Sequence, residues 1–172
     1  MPDENVGLPG TLGGLYAASS SVTNAAGNLV AEFRGGWSFA IEETFAEWYG
    51  QLTTRQAAEL TVLDIVISIP EVAFKPGTLS KLWSIAAGAI QTKEAAPAAA
   101  TSYTFTSSIT PREMAYLVSV ELSGQVFQAH APTAKINSST FNFTNLDYGV
   151  HNIDLLLYGA SGTLLDLILE NP

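Results

Sequence analysis

The order of apolar and polar residues between positions 60 and 69 predicts a β-strand that has no fully polar face. From residue 63 to residue 69 every odd-numbered position is leucine or isoleucine. The even-numbered positions from 60 to 68 form the opposite face of a strand, and only Asp64 and Ser68 among them are polar. We therefore expect both faces of this strand to be covered by protein.

A period of two also predicts strands in much of the rest of the chain. Two short strands flank the turn-prone sequence NAAGN at residues 24–28. After residue 101 the strand-like segments follow one another, separated by turns that contain Gly124, Pro132, Gly149 and Gly159. Because this spacing is typical of a β-sandwich or barrel, we predict a mainly β fold that forms a single domain over residues 1–172.

One helix is predicted beside these strands. Pro76 and Gly77 end the extended segment, and Thr78 can cap a helix. The apolar residues that follow have the spacing of one helical face, at Leu79, Leu82, Trp83 and Ala86. Since Gly88 is a stop signal, we expect a flanking helix over residues 78–88 that packs on the sheet.

Residues 35–60 interrupt the strand rhythm. Their spacing fits neither period, so we predict a long loop between strands that contains one helical turn. Loops of this length usually have a function. The hypothesis that we favour is contact with a neighbouring subunit, because aromatic residues are enriched at interface centres; the alternative is a hairpin whose aromatic side chains fold onto the core. The residues concerned are Trp37, Phe39, Phe45, Trp48 and Tyr49.

Composition favours burial of part of the surface between subunits. Charged residues make up 13% of the chain, about half the share of an ordinary soluble domain, while 47% of the residues are hydrophobic. A large homo-oligomer has this composition because a permanent interface resembles a domain core cut in half. A compact β domain with one sheet buried on both faces is the alternative.

Membrane and secretory signals are not found in the sequence. No apolar run approaches the roughly 18 to 20 residues of a membrane helix. The acidic start MPDENVGLPG differs from a secretory signal, which needs a basic start and an apolar centre. We therefore expect synthesis in a cytoplasm and no membrane partner.

The charge of the chain argues against tight binding of nucleic acid. Sixteen acids and seven bases give a net charge of −9, and the bases are scattered singly. Affinity for phosphates comes mainly from clustered lysine and arginine. A negative surface of this kind would instead let DNA pass without adhering.

The sequence contains no recognisable catalytic or metal-binding motif. It has two histidines, His130 and His151, and no cysteine. Glu42, Glu43 and Glu47 have the character of solvated acids on a loop rather than of paired catalytic acids. We expect no enzymatic activity, no cofactor and no metal.

The order of these features resembles that of the tail tube (major tail) proteins of long-tailed bacteriophages. The likeness rests on the Gly-rich opening GLPGTLGGLYAA, the segment at 35–60, the strand and helix between residues 60 and 88, and the closing strands. It implies a β-sandwich with one flanking helix, a long early loop and an N-terminal arm at residues 1–14. It further implies a virion structural protein, made in the host cytoplasm, whose hexameric rings stack with other tail proteins into a conduit for DNA ejection.

Such a conduit is expected to present acids to its lumen. In the strand-rich C-terminal half we predict Glu121, Asp147 and Asp154 as lumen-facing acids that repel DNA. Two other functions remain open, namely a capsid decoration or other virion structural protein, and a monomeric ligand-binding β-sandwich.

Overall fold

The structure is a computed structural model that describes residues 13–34, 36–49, 55–74, 77–83, 87–88, 102–103, 107–122, 125–141, 151–158 and 162–169. Ten strands and one helix lie in these ranges. They are β1 (Gly13–Ala18), β2 (Leu29–Phe33), β3 (Ser38–Tyr49), β4 (Arg55–Phe74), α1 (Leu79–Leu82), β5 (Ala87–Gly88), β6 (Ser102–Tyr103), β7 (Met114–Leu122), β8 (Gln125–Phe141), β9 (His151–Leu157) and β10 (Asp166–Leu169).

Six of the strands close into an antiparallel barrel. Each strand pairs with the next in the order β8, β7, β1, β2, β4 and β9, and β9 pairs again with β8. The predicted mainly β, barrel-like fold is therefore confirmed. Where a barrel strand pairs with a neighbour on both sides, it has no exposed edge.

Alternating side chains fill the barrel. Along β9 every odd-numbered residue from His151 to Leu157 is buried, and the even-numbered residues are partly exposed. The largest fully buried side chains, which come from several strands, include Tyr116, Phe33, Leu15, Ile67, Ile69, Ile153 and Leu155. The period of two that predicted β9 thus marks its core-facing residues correctly.

Two strands extend the sheet beyond the barrel. β3 pairs with β4 along its whole length, from Ser38 opposite Ser68 to Tyr49 opposite Arg55. β10 pairs with β8, from Asp166 opposite His130 to Leu169 opposite Phe127. β3 and β10 therefore lie outside the closed barrel, and each pairs with a different strand of it.

The prediction of a long loop at residues 35–60 is wrong, because these residues belong mainly to the β3–β4 hairpin. The register shifts between Thr44 and Phe45 and again between Trp48 and Tyr49. Such bulges change which side of the strand a residue faces, and they interrupt a period of two in the sequence. The periodicity of the segment was lost for this reason.

The predicted helix at residues 78–88 is much shorter in the structure. α1 ends at Leu82, and Trp83 is extended and bridges to Pro111. The Thr78 hydroxyl, expected to cap the helix, donates instead to the Val30 carbonyl oxygen at 2.9 Å. Leu82 and Trp83 are buried, so the apolar residues anchor one turn on the barrel rather than a long helix.

The turn predicted at Pro132 is also wrong, since Pro132 lies inside β8. The register between β7 and β8 shifts between Met114 and Tyr116, which face Ala134 and Ala131. Proline, which has no N–H to donate, is accommodated in strands at such irregularities. Of the predicted N-terminal arm, Gly13 and Gly14 belong to β1, and residues 1–12 lie outside the described residues.

Candidate assembly interface

A four-stranded sheet crosses one side of the molecule in the order β3, β4, β9 and β8. Ile65 of β4 lies between Ile41 of β3 and Leu157 of β9, and Leu157 lies opposite Ala134 of β8. All three pairings are antiparallel, so β3 and β8 run in opposite directions. Three of its strands, β4, β9 and β8, are neighbours in the barrel, and the fourth is the added strand β3.

The two outer edges of this sheet have no strand partner in the described part of the chain. On one side β3 pairs only with β4 over residues 38–43. On the other side β7 pairs with β8 only as far as Ala134, while β9 occupies the opposite edge of β8 from Ala134 to Phe141. Open edges of this kind are templates for pairing with another chain.

The outer face of the four-stranded sheet is mostly polar and has one base. Ala40, Val66 and Leu156 form an apolar row across it. Its polar residues are Ser38, Glu42, Asp64, Ser68, Asn152, Asp154, Lys135, Ser138 and Thr140. Glu42 and Asp64 lie directly opposite each other, an arrangement in which like charges repel. Three acids and one base leave this face with a net negative charge.

The core-side face of the β3–β4 hairpin is mainly apolar and uncovered. Phe39, Ile41 and Leu63 project on the same side as the buried Ile65 and Ile67, but all three are exposed. Glu43, opposite Leu63, borders this patch. The exposed fraction is 53% for Ile41 and 7% for Ile65, which lies opposite it. The core face of β4 therefore continues past the barrel as an unprotected apolar patch.

The predicted contact residues fall into two groups. Trp37 packs against the core, its ring centroid 6.3 Å from that of the exposed Phe39. Phe45, Trp48 and Tyr49 belong to β3, but their side chains lie outside the described residues. Their role in subunit contact stays a prediction.

The predicted lumen-facing acids are not brought together. Asp154 is on the outer face of the sheet, where its carboxylate accepts a 2.9 Å hydrogen bond from the Ser138 hydroxyl. Glu121 is exposed near the end of β7, opposite Val126 of β8. Val126 and Ser138 are about 40 Å apart along the extended strand. Asp147 lies outside the described residues.

A polar cluster connects the outer face of the sheet to the residue that precedes β7. The Tyr158 hydroxyl donates to the Glu113 carboxylate at 2.5 Å, and the Lys135 ammonium lies 4.8 Å from the centroid of the Tyr158 ring. Burial, the hydrogen bond and the charge of Glu113 raise the pKa of Tyr158 to about 12. Tyr158 therefore remains a neutral donor at physiological pH.

His151, the first residue of β9, is buried. Its ring stacks on Phe74 with the centroids 5.6 Å apart. Burial lowers the pKa of His151 because the charged imidazolium is poorly solvated there. The native protein thus favours neutral His151.

We expect His151 to make stability depend on pH. As the pH falls below about 6.5, the unfolded chain gains a proton at this position before the native protein does, so the free energy of unfolding decreases. The loss stops growing below the native pKa of His151. Urea denaturation at pH 7.5 and pH 5.5 should show a smaller decrease for His151→Gln than for the unsubstituted protein. His130→Gln is the control and should retain the decrease caused by His151; an equal pH dependence in His151→Gln and the unsubstituted protein would contradict this assignment.

No three His, Cys, Asp or Glu side chains of the described ranges are grouped so that they could hold a metal ion. Among the residues placed by the structure, no helix has the length and apolar character needed to cross a bilayer.

Sequence reasoning missed the open edge of β8 and the acids Glu42 and Asp64 on the sheet. The even positions 138 and 140 are both small and polar, a signal of a solvent-facing strand. Glu42 and Asp64 lie opposite each other because β3 pairs with β4, and the sequence of residues 35–60 did not predict that pairing.

Comparison with known proteins gave a weak structural likeness. No protein-family model and no curated protein matches the sequence. A cryo-EM structure of the sheath-tube complex of an extracellular contractile injection system (PVC), in the extended state, is similar with a TM-score of 0.42 and 13% identity. The match covers 97% of this chain and 93% of that chain.

Proposed function

We propose that this protein is a structural subunit that assembles with copies of itself into rings, and that the rings stack into the hollow tube of a virion tail. The tube would serve as a conduit for DNA ejection, and DNA would pass through it without specific binding. Rings of six copies are what the sequence resemblance to tail tube proteins implies. The main observation in support is the four-stranded sheet, whose two open edge strands, β3 and β8, run in opposite directions.

The strand directions suit a closed ring. When identical copies are placed side by side by rotation about an axis, β3 of one copy lies next to residues 135–141 of β8 in the neighbouring copy. Because β3 and β8 run in opposite directions within one chain, this contact is an antiparallel pair. Each copy then donates one edge and accepts another, which is the contact type that generates rings.

The apolar patch of the hairpin gives the ring a second source of stability. Phe39, Ile41 and Leu63 extend the core side of the sheet beyond the subunit's own barrel. A neighbouring copy that continues the sheet would cover them. Burial of such side chains contributes roughly 25 cal/mol per Å² of apolar area.

The outer face of the sheet fits the wall of a channel. Glu42, Asp64 and Asp154 outnumber Lys135 on this face. Repeated around a ring, the surplus negative charge would repel the phosphates of DNA within a Debye length, about 8 Å at physiological salt. Glu121 is not on this face and is not required for the channel.

Assembly of the purified protein tests the proposal. At raised concentration we expect annular particles or hollow tubes of uniform width on electron micrographs, and elution well above 18.2 kDa on sizing. A strictly monomeric protein from micromolar to millimolar concentration would refute self-assembly and favour a ligand-binding domain. Binding only to a preformed capsid lattice would favour a decoration protein.

Introduced cysteines test which edges meet, and the chain has no cysteine of its own. Ala40 or Glu42 on β3 would be changed to Cys together with Ser138 or Thr140 on β8, in four double variants. Oxidation of at least one assembled double variant should give a ladder of linked chains that ends at the ring size, because paired strands bring Cα atoms within the roughly 4.4–6.8 Å of a disulfide. The four single variants are the controls and should give no ladder. Particles that form without any ladder would refute this edge pairing.

A further inference from the structure

Lys81 in α1 and Arg112 beside α1 are two exposed cations, and we call the surface that they form the helix end. The Lys81 ammonium donates to the Gly27 carbonyl oxygen at 3.1 Å, and the Arg112 guanidinium donates through Nε to the Trp83 carbonyl oxygen at 3.0 Å. Both acceptors are neutral, and neither cation forms an ion pair with a described residue. Glu113, next to Arg112, is engaged by Tyr158. The helix end therefore presents positive charge that no described residue of the same copy neutralises.

The far end of β7 and β10 form a second surface, which we call the strand end. Glu121 is exposed there and has no ion-pair partner among the residues described. Glu121 lies opposite Val126 of β8. The next residue of β8, Phe127, lies opposite Leu169 of β10. Two strand spacings, about 10 Å, thus separate the strands that carry Glu121 and Leu169. Leu169 is 61% exposed, and Ile168 beside it is also exposed.

The two surfaces lie at opposite ends of the barrel. Arg112 precedes β7 and Glu121 is the penultimate residue of β7, and the part of the strand from Met114 to Glu121 is about 23 Å long. Opposite charges that are too distant to pair within one copy can pair between copies. Contacts between unlike surfaces of identical chains repeat head to tail.

We propose that the helix end of one copy docks on the strand end of a second copy in the adjoining ring, with Lys81 and Arg112 facing Glu121. This inference rests on the proposed function, since it names the contact through which rings stack. A chain with a net charge of −9 would be repelled by its own copies at most surfaces. The helix end offers a complementary charge from two cations, and the exposed leucine and isoleucine of β10 add apolar area to the contact.

Charge reversal and its compensation test the contact. The variants are Lys81→Glu/Arg112→Glu, Glu121→Lys and the combination of all three substitutions. Glu32→Lys is the matched control, because it makes the same change at a partly exposed glutamate of β2, outside both surfaces and outside the four-stranded sheet. Thermal melting of each variant establishes that the subunit is folded. The measurement is the protein concentration at which rings give way to stacked tubes, followed by electron microscopy and sedimentation.

We expect both reversals to raise that concentration roughly tenfold or more, the combined variant to restore stacking, and Glu32→Lys to stack as the unsubstituted protein does. Normal stacking by Glu121→Lys, or failure of the combined variant to recover, would overturn the inference. If a reversal variant fails to fold, Lys81→Gln/Arg112→Gln replaces it, and unweakened stacking by that variant overturns the inference. Rings that never stack would overturn it while leaving ring assembly intact, whereas an unsubstituted protein that stays monomeric would refute the proposed function itself.

Discussion

Replacement of Ile41 by aspartate should prevent ring formation and leave the subunit folded. Ile41 is at the centre of the exposed apolar patch, between Phe39 on its own strand and Leu63 on β4. A carboxylate at this position would have to be desolvated when a neighbouring copy covers the patch, which costs several kcal/mol unless a cation accompanies it. Sizing and electron microscopy should therefore show monomers at concentrations where the unsubstituted protein forms rings.

Ile65 is the matched control for this prediction, because it is the same residue type directly opposite Ile41 and is buried. Ile65→Ala should lower the free energy of unfolding of the subunit by about 2 to 5 kcal/mol. Ile41→Ala should change it by no more than about 0.5 kcal/mol. If Ile41→Asp melts at a much lower temperature than the unsubstituted monomer, or still forms rings, then Ile41 is not an interface residue.

The contrast between Ile41 and Ile65 also shows how far the sequence could predict the fold. Alternation predicted a strand at residues 60–69 and a series of strands after residue 101, because an apolar side chain at every second position is typical of a strand that buries one face. It could not identify where the barrel ends. Ile41 and Ile65 are chemically identical, and only the position of β9 beside β4 determines which of them is covered.

The candidate interface was harder to predict than the core because it depends on pairing between distant strands. The edge of β8 beyond Ala134 is open since β7 begins at Met114, some twenty residues earlier in the chain. The low charge of the chain predicts that surface is buried between subunits, which stays a prediction, and it cannot indicate which strands would take part. The sequence shows that Asp154 is an acid in a strand but not which face it is on, and the pairing with Ser138 places it on the outer face.

A substitution at Gly13 should destabilise the subunit more than its place near the start of the chain indicates. Gly13 is paired on both sides, with Phe33 of β2 and Val120 of β7. A Cβ atom at this position would overlap the buried Phe33 ring and would lie 2.6 Å from the Ser119 carbonyl oxygen. The sequence suggested a Gly-rich arm, whereas the structure requires the absence of a side chain for close packing of three strands.

Gly13→Ala should therefore lower the free energy of unfolding by about 1 to 3 kcal/mol or more, because relief of the contact moves either the Phe33 ring or the backbone of β7. At the size of this chain that corresponds to a fall in melting temperature of roughly 2 to 12 °C. Gly27→Ala is the control, since a Cβ at Gly27 meets no atom within 4 Å, and its melting temperature should stay the same or rise. Equal melting temperatures for the two variants would show that β1 does not pack against Phe33 and Ser119 in solution, and the closure of the barrel through β1 would then have to be abandoned.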